Sequence, residues 1–400
     1  MARVLLAWEY GLGIGYVDRP VQVAEALVRE GHEPVFCLRD IVSTASFMRG
    51  KPWLVMQAPL SIGVLHPTQP NFNPGSYGDL LAVNNFADEE ALYRLVHAWH
   101  LLFLALQPQV IIGEYAPASA VAAYGRIPYI AMGHGYILPP PDRSEFPVFN
   151  PTVQRATGAD RILETIHRVQ TRLGSELPKT APEAIGGVAH FITAFRETDP
   201  YADLRSQRHA GPLETIEPPA SAPTEPNFYA YLSATHPQIG LYVQAVADAG
   251  IRGSVHIKRL TPEMKQFLSE RGVGVYDSPP PLHQMVRSTS VIVHYGGMAT
   301  LTAAMTAGRP QIFLPEVNDQ TVSANTVDRL GLSVNGRRRL TNAAQISRAV
   351  KELADPNGEA TRRAQSVATD IYQRGEYGSL APIMATIRGL VGRKPTPPAA

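Results

Sequence analysis

Residues 291–320 read VIVHYGGMATLTAAMTAGRPQIFLPEVNDQ. The apolar run 291–294 ends in His294, and Gly296-Gly297 allow a sharp turn. Small and apolar residues over 300–307 then predict a helix, stopped by Gly308-Arg309-Pro310. A second apolar run, 311–314, reaches Pro315. This is strand, glycine turn, helix, strand. A helix that begins at the C-terminal edge of a strand presents unpaired N–H groups and the positive end of its dipole, which suits a phosphate. Gly296 and Gly297 let the backbone come close to such a ligand. His294 and Thr300 carry side-chain donors for it, and Asp319-Gln320 offer a carboxylate and an amide suited to sugar hydroxyls.

The same alternation extends outward from this segment. Upstream it predicts strands over 228–232, 254–257 and 274–276, with helices over 239–249, 262–271 and 282–287. The chain opens in the same way, with strand 4–8, the glycine loop 11–15, helix 20–29 opened by Pro20, and strand 34–38. Helix 89–106, strand 110–113, helix 116–124 and strand 128–132 follow, and a last helix is expected near 377–391. Such alternation predicts parallel α/β sheets. The stretch GPLETIEPPASAPTEP, 211–226, is the clearest linker, so the expected domains are 1–210, 227–376 with a returning helix 377–392, and a disordered tail 393–400. Two long Pro-, Asn-, Gly- and aromatic-rich segments, 59–85 and 133–151, are read as walls of a pocket; they include Tyr77, His134 and Tyr136.

Composition narrows the field. Four hundred residues exceed what one core usually supports, and 44% hydrophobic with 18% charged residues is globular. A net charge of +1 gives no field for nucleic acid or an anionic membrane. The single cysteine, Cys37, excludes an internal disulfide and a cysteine-built zinc site, and it reads as a packing residue. His66, His97 and His100 lack a trusted metal spacing, and the run 337–339 (three arginines) reads as a solvated patch. No apolar stretch is long enough to span a membrane and no signal-peptide core is found, so a cytoplasmic address is expected. A dinucleotide-binding reading of the first glycine loop is disfavoured because the G-x-G-x-x-G spacing is missing.

Residues 291–320 resemble the donor-binding signature of GT-B glycosyltransferases of the UDP-glycosyltransferase and macrolide-glycosyltransferase type. The matching positions are His294, Gly296, Thr300, Gly308, Pro310, Pro315, Asp319-Gln320 and, at a shifted offset, Asn325. The resemblance implies two Rossmann-like, doubly wound domains facing a central cleft, with the nucleotide-sugar donor on the C-terminal one. It implies that His294, Gly296, Gly297 and Thr300 hold the diphosphate and that Asp319 and Gln320 hold the sugar. Ser233 would also reach the diphosphate, and Pro281-Leu282 would lie over the base. The donor would be UDP- or dTDP-linked, a substrate rather than a cofactor, and no metal is expected. The implied activity is inverting transfer to a small, partly apolar acceptor, as in natural product biosynthesis. Tyr77, His134 and Tyr136 are placed at the acceptor, and the oligomeric state, including a homodimer, is open.

Departures from the pattern are Met298 and Ala299 in the turn, Thr302 in the helix, and Tyr16 where the family usually has its catalytic histidine. A phenol, near 10, is a poorer base at neutral pH than an imidazole near 6.5. Glu114, Tyr16 and Asp18 are therefore the candidate catalytic residues. The competing readings are a catalytically silent GT-B protein that only binds or scaffolds, and a nucleotide-sugar epimerase.

Overall fold

The computed structural model describes residues 1–11, 15–60, 74–336 and 340–391. The readings made for His66, the run 337–339, the middle of the first glycine loop and the tail lie outside those residues.

The chain divides into two compact units. The first contains Met1–Ala194, Pro200–Glu214 and the segment from Tyr377 onward; the second contains Phe195–Asp199 and Thr215–Glu376.

In the first unit, β1 (Arg3–Trp8), β2 (Glu33–Leu38), β3 (Leu54–Gln57), β4 (Val110–Glu114), β5 (Tyr129–Gly133) and β6 (Ala189–Ile192) form one sheet. Its order is β3-β2-β1-β4-β5-β6 and each recorded pairing is parallel. Strands β1, β4 and β5 are buried almost throughout, which is why they read as continuous apolar runs rather than alternating ones. Helix Leu380–Val391 belongs to this unit, where Arg388 pairs with Glu30.

The second unit repeats the plan with β7 (Asn227–Ser233), β8 (Arg252–Lys258), β9 (Gly274–Val275), β10 (Val291–His294), β11 (Gln311–Phe313) and β12 (Ser333–Asn335). The order is β12-β11-β10-β7-β8-β9, again parallel. Both sheets therefore have the doubly wound Rossmann order. In such a sheet the strand order reverses between the first and fourth strands, and ligands bind beyond the carboxyl ends at that point. The switch points are β1/β4 in the first unit and β7/β10 in the second.

Several expectations are revised. The first helix runs Gly15–Arg29, so Pro20 lies inside it rather than at its start. The next unit's helix begins at Met298, not Thr300. Parts of the stretch 211–226 are tied down. Ser379 donates to the carbonyl of Pro212 in the first unit. In the second, the fully buried guanidinium of Arg309 donates to the carbonyls of Ala220, Ser221, Val286 and Arg287. Among the described residues no helix is long and apolar enough to cross a membrane.

Candidate functional site

At the switch point of the first unit, β1 ends at Trp8 and β4 at Glu114, two residues paired in the parallel register. The carboxylate of Glu114 is fully buried. Arg19, on the helix that follows the glycine loop, grips it with Nε on one oxygen at 3.3 Å and Nη2 on the other. Burial pushes the Glu114 carboxyl up and Arg19 opposes that shift. The pair fastens the start of helix Gly15–Arg29 to the end of β4.

Tyr16 sits on the same helix start. Its ring stacks on Trp8 at 6.1 Å and touches Tyr115 at 5.7 Å and His134 at 6.1 Å between centroids. A Cβ on Gly11, which has φ +83°, would fall 2.4 Å from that ring, so glycine is needed for the loop to pass it. Asp18 is exposed and accepts a hydrogen bond from Gln22 one turn on. The contact network continues from His134 to Tyr136 and from Tyr115 to Tyr77. Tyr77, His134 and Tyr136 are all buried. Tyr77, His134 and Tyr136 thus belong to a packed layer of rings, and the cavity beside Tyr77 and Tyr115 measures ≈ 10 Å³. That is room for about one water.

Glu9, one residue beyond β1, was not singled out in the sequence. Its buried carboxylate accepts the N–H groups of Ala118 and Ser119 at 2.9 and 2.6 Å. It thereby caps helix Pro117–Ala123, whose own cap residue, Ala116, has no side-chain acceptor.

At the second switch point, β7 ends at Ser233 and β10 at His294. Helix Met298–Thr306 starts four residues after β10 with Gly297 as its cap, which has no side chain. The cap residue thus supplies no side-chain acceptor to the amides of the first turn at the sheet's carboxyl edge. Thr300 lies buried in that turn. Gly296 has φ +90°, and a Cβ there would stand 3.3 Å from the Cβ of Gln320, so glycine is required for the turn to fit.

Two residues expected at the donor site have partners within the protein. The His294 ring is fully buried, with Nε2 on Gln311 Oε1 at 2.9 Å, while Nδ1 accepts the Gly296 N–H at 3.2 Å. Burial pushes the ring down to about 4, so it is neutral, and both nitrogens are spent on shaping the turn rather than on a ligand. Gln320 Oε1 accepts the amides of Glu316 and Val317, which caps helix Asn318–Asp328 and leaves that oxygen no sugar hydroxyl to meet. Asp319 stays partly exposed on the same first turn. Ser233 Oγ bonds Thr235 Oγ1 at 2.7 Å. Pro281 and Leu282 open helix Leu282–Ser288, with Pro281 exposed.

Residues 273–381 match the family described as erythromycin biosynthesis protein CIII-like, C-terminal domain. The solved structure of glycosyltransferase VinC in complex with dTDP superposes over 98% of this chain and all of its own, with a TM-score of 0.66 at 16% identity. The chain has the GT-B fold. Among curated relatives, glycosyltransferase GtfE of Amycolatopsis orientalis is 27% identical over 183 residues, 42% of this chain and 44% of that one. The PGL/p-HBAD biosynthesis glycosyltransferase of Mycobacterium tuberculosis is 25% identical over 323 residues, 71% of this chain and 73% of its own. The chain spans less than half the length of the first curated relatives it matches. The matched segment contains the turn at Gly296-Gly297 and both helices that flank β11.

Proposed function

We propose that this protein is an inverting, metal-independent glycosyltransferase that moves a sugar from a UDP- or dTDP-linked donor to a small, partly apolar acceptor. The observation that carries the reading is the helix start at Met298. It lies at a Rossmann switch point, is capped by a glycine without a side chain, and therefore offers backbone amides to a diphosphate. The family match over 273–381 and the likeness to a structure bound to dTDP support the same reading.

In the proposed reaction the acceptor oxygen attacks the anomeric carbon from the face opposite the diphosphate. The bond from that carbon to the phosphate oxygen breaks, and its electron pair leaves with the nucleoside diphosphate. The amides of Met298, Ala299 and Thr300 and the helix dipole stabilise the growing charge. On the acceptor side, the structural pairing of Glu114 with Arg19 favours Tyr16 as the group that receives the proton. Arg19 interacts electrostatically with the Tyr16 hydroxyl as well as with Glu114. Glu114 then acts through Arg19 as a positioning residue. Asp319 is the remaining candidate for a sugar hydroxyl.

The test is incubation of the purified protein with UDP- and dTDP-sugars and a panel of phenolic and alicyclic aglycones, with and without EDTA. A glycoside of inverted anomeric configuration, formed at the same rate with EDTA, is the expected product. Retained configuration would refute the inverting mechanism, and loss of turnover with EDTA would refute metal independence. Donor binding without turnover would favour the catalytically silent reading, and sugar isomerisation without acceptor the epimerase.

A further inference from the structure

Lys258 ends β8 in register with Ser233, at the end of the central strand β7. A lysine at such an edge would ordinarily extend into water. This one turns back across β7 instead. Its Nζ donates to the hydroxyl of Tyr295 at 3.2 Å and lies 5.2 Å from the ring centre of Tyr231 and 5.3 Å from that of Tyr295. Tyr231 belongs to β7, where it pairs with His294, and Tyr295 directly follows β10. The contact therefore spans the switch point, the place where the strand order reverses. The Tyr295 ring continues to the turn itself, since a Cβ on Gly297 would stand 3.0 Å from its edge. One ring thus separates the ammonium from the cap residue of helix Met298–Thr306. Glu316 also lies in the field of Lys258.

We infer that Lys258 is a further donor-binding residue, whose ammonium is parked on Tyr231 and Tyr295 and pairs with a phosphate of the nucleoside diphosphate when that group sits at the Gly297 turn. The inference rests on the donor reading above. Backbone amides supply directed hydrogen bonds but only partial charge, and Lys258 adds a full positive charge at the same edge. It would hold the donor and stabilise the diphosphate as it leaves.

Calorimetric titration of the full chain with uridine, UMP and UDP, and with thymidine, dTMP and dTDP, tests this. Lys258→Met should weaken diphosphate binding by about tenfold, the size of one charge-assisted hydrogen bond, with nucleoside binding unchanged. Lys258→Arg should restore most of the loss, and raised salt should narrow the gap between wild type and Lys258→Met. Equal diphosphate affinity in wild type and Lys258→Met overturns the inference while the donor reading stands. An equal loss for nucleoside and diphosphate, or a lowered melting temperature of Lys258→Met without ligand, overturns it in favour of a packing role. If wild type binds neither diphosphate, the donor reading itself fails.

Discussion

Arg19 and Glu114 lie 95 positions apart in sequence, yet the guanidinium of one closes on both carboxylate oxygens of the other at the end of β4. The carboxylate is entirely buried and the Arg19 side chain is only 14% exposed. Removing one member of such a pair leaves a buried charge without compensation, which costs far more than the pair itself contributes. Arg19→Met is expected to destabilise the first unit by about 3 kcal/mol. Arg19→Met combined with Glu114→Gln should recover a large part of that. Denaturant unfolding of the two single variants and the double variant checks this, and strictly additive losses would show that the two groups do not interact.

The same pair makes a kinetic prediction. With Tyr16 as proton acceptor, Tyr16→Phe lowers kcat with little change in KM. Glu114→Gln should instead move the limb of the pH–rate profile on which the rate rises as the base loses its proton, because it alters the charge that holds Arg19 beside the phenol. A larger kcat loss in Glu114→Gln than in Tyr16→Phe, with the pH profile unmoved, would return the base role to Glu114.

His294 organises the turn through both ring nitrogens. His294→Ala leaves the Gly296 amide and the Gln311 amide oxygen without partners in a buried setting and opens a cavity. The expected loss is about 3 kcal/mol in the second unit. Thermal melts should show this drop with no ligand present, together with loss of the shift caused by UDP or dTDP. An unchanged ligand-free melt would contradict the buried hydrogen bonds.

Glu9 predicts a pH dependence. Burial raises its carboxyl to about 8 from 4.5, against the pull of the Ala118 and Ser119 amides. The folded chain thus holds this proton over a range in which the unfolded chain has released it. Stability from this group is complete below the unfolded value and is lost as pH rises through the folded one. Glu9→Gln, which cannot ionise, should gain in melting temperature on wild type between about pH 5 and about pH 9. A constant difference across that range would refute the raised value.

Much of the fold was legible because buried parallel strands are runs of apolar residues closed by glycine turns. Strand β10 and helix Glu89–Leu106 have the limits that periodicity gave them. Strands β3, β6 and β12 were missed: each is short, and β3 and β6 are only partly buried, so their apolar signal is weak. The helices Ile162–Arg172, Ala343–Leu353 and Glu359–Arg374 were also passed over, since charged outer faces dilute the apolar stripe of each. At the site, spacing located the turn but not the direction of the side chains. A histidine pointing into the sheet and one pointing at a ligand have the same sequence. Arg19, Glu9 and Lys258 act through partners remote in the chain, and no local pattern marks them. The only signal for Arg19 was its place three residues after Tyr16.

The first unit takes its closing helix, Leu380–Val391, from beyond the whole of the second. A ribosome works from the N-terminus, so its sheet emerges early yet waits for that helix until the second unit has been translated. Apolar positions of the waiting domain, among them those meeting Ile383 and Ile387, stay open to solvent or to chaperones meanwhile. Synthesis order thus makes the first domain begun the last completed.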